Sequence, residues 1–288
     1  MSMLTVENLT YVYGEHSPFE KTAIHDISFS ASGGEIIGVI GHTGSGKSTL
    51  VQHFNGLLKP NSGKILLDGV DIWEKPKEIR NYRFKIGLVF QYPEYQLFEE
   101  TVYKDIAFGP TNMGLDVDEV RERVLKTAHM LGIRDDLLMK SPFDLSGGEK
   151  RRVAIAGVMA MMPQVIVFDE PTAGLDPAGR DIVLNKIKEY RDLTGALVFI
   201  VSHSMEDMAK TADKLLVMNK GELMMYDTTS NVFSHSRTLE KIGLNIPQIT
   251  RVFCSLREQG VNLPDNILTV EDGLNALLPL LKGGSAND

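Results

Sequence analysis

The chain has 288 residues, 43% of them hydrophobic and 24% charged, which is enough apolar material for one or two packed domains. A net charge of −8 lacks the basic footprint of a nucleic-acid binder, so no nucleic-acid partner is expected. The single cysteine, Cys254, excludes an internal disulfide and suits a reducing cytosol.

The N-terminal MSMLTVENLT has neither a basic n-region nor an apolar h-region, so no signal peptide is expected. Strand-like runs rich in β-branched residues follow at 4–13, 35–40, 64–70, 85–90, 165–168, 196–202 and 214–218, with helical patterns between several of them. That alternation predicts an α/β protein with a mainly parallel central sheet. Residues 101–162 read as a mostly helical insert, in which Val117, Val120, Val124, Leu125, Ala128 and Leu131 fall near helical spacing. The uncharged VAIAGVMAMMPQVIVF (153–168) is shorter than the roughly 20 residues of a membrane span, and Pro163-Gln164 divides it into a buried helix and a buried strand. Its Met-rich MAMM, like Met224-Met225, reads as core packing rather than a metal site. After about residue 226 the strand pattern fades. Residues 246–260 and 269–282 predict two helices, the first with Pro247 in its first turn, the second with Thr269, Glu271 and Asp272 near its start. The terminal GGSAND is expected to fray.

Three motifs carry chemistry. GHTGSGKST matches the phosphate-loop pattern G-x-x-x-x-G-K-[ST] between an apolar strand and a helix, so Gly41, His42, Thr43, Gly44, Ser45, Gly46, Lys47, Ser48 and Thr49 form the candidate nucleotide-binding segment. Its glycines let backbone N–H groups approach phosphate oxygens, Lys47 reaches the β/γ-phosphates, and Ser48 is placed to ligate Mg²⁺. His42 is expected to contribute its backbone N–H rather than its ring. VIVFDE puts Asp169 and Glu170 at the end of a buried strand, where the aspartate can hold Mg²⁺ and the glutamate can polarise water. LSGGE (Leu145, Ser146, Gly147, Gly148, Glu149) reads as a helix start with free N–H donors, which serves equally as an anion site or as an ordinary helix cap.

With Tyr13, Gln91 in VFQYPEYQLF, AGLD (173–176) and His203 in VSHS, these motifs resemble the ATP-binding cassette (ABC) ATPases in order, over about residues 4–220. The resemblance implies a P-loop NTPase with a mainly parallel core sheet, an antiparallel β subdomain and a helical signature subdomain at about 95–160. It divides the chain into an ATP-binding domain, 1–225, and a C-terminal helical extension, 226–288. It also implies ATP sandwiched between the phosphate loop of one protomer and the signature of another. Tyr13 would stack on adenine, with Tyr11 a competitor for that role. Gln91 would contact Mg²⁺ and the transport partner, Glu170 would be the catalytic base, Asp176 would communicate across the dimer, and His203 would contact the γ-phosphate.

The extended turn in residues 10–29, the stretch 40–63 and FQYPEYQLFEETVYKDIAFGP (90–110) are similar to energy-coupling-factor (ECF) transporter ATPases of the second, or A′, type. That implies a heterodimer with a paralogous ATPase at the cytoplasmic side of a cell membrane. The pair would sit beneath a transmembrane T component served by S components that capture vitamins or metal ions. An ordinary importer or exporter ATPase, or a cassette without a membrane partner, is the alternative. The apolar stripes Val252, Phe253, Leu256 and Leu274, Leu277, Leu278, Leu281 are expected to serve dimer contact rather than packing on the cassette.

Overall fold

Two sheets carry the computed structural model, which describes residues 3–264 and 266–283. Of the expected frayed terminus, residues 284–288 lie outside the described residues, as does the side chain of Leu281.

The first sheet is antiparallel, in the order β2-β1-β4-β5, with β1 Met3–Tyr13, β2 Lys21–Ser32, β4 Ser62–Leu67 and β5 Val70–Asp71. One face of β2 is apolar: Ile24, Ile27, Phe29 and Ala31 are buried while Ser28 and Ser30 face out. The second sheet runs β10-β9-β3-β8-β7-β6. Its members β3 Ile36–Ile40, β6 Ile86–Val89, β7 Val165–Asp169, β8 Leu197–Val201 and β9 Lys214–Asn219 are parallel. The edge strand β10, Glu222–Thr228, returns antiparallel.

The parallel strands are apolar at nearly every position because both faces are covered. Ile36, Ile40, Ile166, Phe168, Val198 and Ile200 point into one core, with the helices. Ile37, Val39, Val165, Val167, Leu197 and Phe199 point into the other, with the antiparallel sheet. Helix α1, Lys47–Phe54, starts directly after β3, and α2, Ile79–Lys85, precedes β6. The expected helical insert is α3 Val102–Asn112, α4 Val117–Met130 and α5 Gly147–Met159, each packed on the others. Val117 departs from its expected place on the apolar face: it opens α4 and is 81% exposed. The division of 153–168 into helix and strand holds, and among the described residues no helix is long and apolar enough to cross a membrane. Met159 is in the core, Met161 and Met225 are partly buried, and Met162 is 42% exposed.

The expected boundary at 225/226 falls inside β10. Helices α6, Pro177–Thr194, and α7, Met205–Thr211, flank β8, and two short helices follow β10: α8, Thr229–Ser234, and α9, Ser236–Lys241. Val232, Phe233, Leu239, Leu244 and Ile246 from this region are buried in the main core, so the cassette packs as a unit through residue 246. Only α10, Gln248–Glu258, and α11, Val270–Gly283, have a small core of their own, built on Phe253, Leu263 and Ile267. Pro247 is the N-cap of α10 rather than a first-turn residue. Phe253, Leu256 and Leu277 pack inside this pair, which leaves Val252 (49%), Leu274 (56%) and Leu278 (37%) as the exposed part of the stripe among the described side chains.

Candidate functional site

Strand order assembles the site. Because β3, β8, β7 and β6 are neighbours, the segments leaving their C-terminal ends lie side by side: the phosphate loop, His203, Asp169-Glu170 and Gln91. They border a cleft of about 540 Å³ lined by Tyr13, Thr43, Gly44, Gly46, Lys47, Ser48, Thr49, Gln91, Asp169, Glu170 and His203. Lys21, Thr22, Ala23, Val201, Lys220 and Gly221, which sequence reasoning did not single out, complete the lining.

The loop is held tightly against the fold. At Gly46 φ is +101°, and a Cβ there would sit 2.7 Å from the Ala23 carbonyl oxygen and 2.9 Å from Ile24, so only glycine fits. Lys47 is 6% exposed and donates through Nζ to the carbonyls of Gly41 (2.6 Å) and His42 (3.0 Å). Burial lowers its pKa, opposed by the nearby Glu170 and Asp169. The His42 ring turns away from the cleft, with Nδ1 at 2.9 Å from the Thr43 carbonyl and Nε2 at 3.2 Å from Asn219 Oδ1. Gly41 and Ser45 support the loop from behind, Ser45 being fully buried. Tyr13, not Tyr11, lines the cleft, with its hydroxyl 3.2 Å from Thr49 Oγ1. Tyr11 packs edge-on against His53, with ring centroids 4.7 Å apart.

The carboxylates are pushed towards their neutral forms. Burial raises the pKa of Asp169, opposed by a hydrogen bond from Ser48 and by Lys47 and His203. Burial, and then the neighbouring Asp169, raises Glu170 from 4.5 to about 7, which is where a general base is most effective at neutral pH. His203 Nε2 stands 3.1 Å from Glu170 Oε1, within ion-pair distance but not aligned as a hydrogen bond. Burial, and then the nearby Lys47, lowers the pKa of His203, opposed by Asp169. Glu170 holds a left-handed backbone, φ 51°, and Tyr92 beside Gln91 holds another, φ 55°. Such strain in non-glycine residues collects at functional sites.

A buried arginine that braces the site was also missed by sequence reasoning. Arg151 on α5 is 5% exposed and donates to the Ala173 carbonyl at 2.7 Å and the Glu170 carbonyl at 3.1 Å. Its signal was a charge at the i, i+4, i+8 spacing of Ile155 and Met159, both buried.

The signature lies elsewhere: none of Leu145, Ser146, Gly147, Gly148 or Glu149 lines the cleft. Ser146 caps α5 in a capping box with Glu149, whose carboxylate accepts from Ser146 N at 2.9 Å. Gly147 and Gly148 are exposed, and a Cβ at Gly147 would meet nothing within 4 Å. The capped helix start therefore still leaves Gly147 and Gly148 open. Asp176 also caps locally, accepting from Gly179 N at 2.8 Å at the start of α6.

A family model described as ABC transporter matches residues 24–173. The chain belongs to the ABC transporter family. It is 52% identical to the energy-coupling factor transporter ATP-binding protein EcfA2 of Caldanaerobacter subterraneus, over 97% of this chain and 98% of that one. The protein of the same name from Clostridium tetani is 51% identical, over 99% of both. Among solved structures, cbiO1 of Clostridium perfringens, part of the ABC transporter complex cbiONQ, superposes with a TM-score of 0.74 at 39% identity, covering 87% of this chain and 98% of that one. An ATP-binding cassette in a dimeric post-hydrolysis state bound to ADP and Pi gives a TM-score of 0.70 at 25% identity, covering 78% of this chain and 98% of that one. The cleft is therefore that of an ABC ATPase, and close relatives of this cassette are energy-coupling factor subunits.

Proposed function

We propose that the chain is the second-type ATPase subunit of an energy-coupling factor transporter, pairing with a paralogous ATPase under a transmembrane component. One observation carries the composite site: phosphate loop, base and γ-phosphate histidine share one cleft, while the exposed signature lies outside it. A second cassette brought face to face would complete both sites, and the dimeric architecture of a related cassette supports this.

ATP would lie with adenine on Tyr13 and phosphates along the loop, with Lys47 at the β/γ end. The site suits Mg²⁺, because the half-buried Asp169 carboxylate and the Ser48 hydroxyl form an oxygen donor pair beside Gln91. Among the described residues no cluster of three or more His, Cys, Asp or Glu could hold a metal ion. Mg²⁺ bound there would neutralise charge on the phosphates. Glu170 accepts a proton from the attacking water, and His203 hydrogen-bonds the γ-phosphate. α10 and α11, with Val252 and Leu274 exposed, would hold the partner when nucleotide has left.

Isolation from native membranes tests the assembly. A paralogous cassette and a multi-span membrane protein should accompany the chain, and vitamin or metal-ion binding proteins should join them. A chain that purifies alone and hydrolyses ATP without a partner contradicts the proposal.

A further inference from the structure

We infer that Lys220, supported by Lys21, is a nucleotide-binding residue that grips the part of the nucleotide common to ATP and ADP. This rests on the ATP-binding reading above. Lys220 lies in no phosphate-loop, carboxylate or signature motif; it stands in the turn between β9 and β10 and lines the same cleft as Lys47.

The turn is fastened on three sides. Gly221 N donates to the Ser45 carbonyl at 3.1 Å, and Asn219 Oδ1 meets the His42 ring at 3.2 Å, so the turn is bound to the phosphate loop itself. His25 N donates to the Gly221 carbonyl at 2.8 Å, which ties the turn to β2. Lys220 itself holds a left-handed backbone, φ 50°, a conformation that favours Gly or Asn at a turn.

Its neighbourhood indicates which phosphates it meets. Backbone N–H groups of a phosphate loop cradle the α- and β-phosphates, and the loop lysine reaches the β/γ end. Lys220 stands beside Ser45, before Lys47, and Lys21 pairs across the strands with Tyr13 at the expected adenine end. Among the described residues neither Lys220 nor Lys21 is ion-paired, so two exposed cations face the cleft in a chain of net charge −8.

The test is Lys220→Asn, which removes the charge while tolerating the left-handed backbone, with Lys220→Arg as the rescue. ATP and ADP affinities are measured by titration at low and high salt, with thermal melting as the folding control. Lys220→Asn should weaken ATP and ADP by the same factor, about 3- to 10-fold at low salt and less at high salt, at unchanged melting temperature. Lys220→Arg should restore both. Wild-type affinity in Lys220→Asn, or weakening of ATP alone, overturns the inference while leaving the ATPase reading intact. A wild-type chain that binds no nucleotide overturns both.

Discussion

The guanidinium of Arg151 donates to the backbone carbonyl of Glu170 at 3.1 Å, so the helix that begins at the signature directly supports the residue proposed as the base. The same side chain reaches Ala173 at 2.7 Å and thereby braces the loop that leaves β7. Arg151→Met would strand the Ala173 carbonyl, at a cost of about 1–3 kcal/mol if it is left unsatisfied, while the Glu170 carbonyl would keep only the bond from Ala173 N at 3.1 Å. Its melting temperature should fall and its hydrolysis slow, while ATP still binds through Lys47. Arg151→Lys, which keeps one donor, should recover part of the rate. Wild-type turnover and melting in Arg151→Met would remove Arg151 from the account.

The Glu170 pKa of about 7 sets the pH dependence. The base works when deprotonated, so kcat/KM should rise through pH 7, with an apparent value that belongs to Glu170 and His203 together. Stability runs the other way. A carboxyl raised from 4.5 to about 7 holds its proton in the folded state where the unfolded chain has lost it, so stability falls as pH rises from 4.5 to 7. The loss is at most ~3 kcal/mol, and Asp169, also raised, adds to the slope. Denaturant titrations of the nucleotide-free protein should show this decline, and Glu170→Gln should flatten it. A slope unchanged in Glu170→Gln would place the titration elsewhere.

Binding and assembly separate at Lys47 and Gly148. Lys47→Ala should abolish ATP binding to the isolated chain. Gly148→Glu adds an acid in the first turn of α5, where it suits the helix dipole, but opposes an incoming phosphate. The variant should fold and bind ATP normally alone, yet impair hydrolysis at the site built on the partner's phosphate loop. Loss of ATP binding by the isolated Gly148→Glu chain would contradict a site shared between protomers.

Motifs contiguous in sequence were legible, because a loop, a strand end and a helix start each carry their residue types within a few positions. The strand runs around Ile36–Ile40 and Val165–Asp169 were legible for a related reason: burial on both faces makes them apolar throughout. β2 is harder to read, since the left-handed Asp26 (φ 50°) interrupts its alternation, and β10 is half-exposed at an edge. α8 and α9 have six residues each, too few to show a helical period, so the cassette's end was placed too early. Arg151 and Lys220 come to the site through tertiary contacts; the helical spacing of Arg151 with Ile155 and Met159 marks it as buried but does not name its partners, and nothing local marks Lys220.

The extension makes a separate prediction. Because Val232, Phe233 and Leu239 belong to the main core, a cut at 226 would damage the cassette, whereas a stop after Ile246 spares it. That truncated chain should fold and bind ATP but lose association with the paralogous ATPase when nucleotide is absent. Such a contact would hold the paralogous partner at high effective concentration between cycles. Undiminished association, measured by sedimentation, would assign α10 and α11 another role.

The sharpest measurement is hydrolysis by a Glu170→Gln variant. The substitution keeps the shape of the side chain and removes its capacity to accept a proton. With Mg²⁺ and ATP, the complex containing this variant should lose about 10²–10⁴-fold in single-turnover hydrolysis at the site built on this chain's phosphate loop. ATP should remain trapped and the dimer closed. Near-normal hydrolysis at that site, or failure to retain ATP in a closed dimer, would contradict Glu170 as the base and the shared site as the engine.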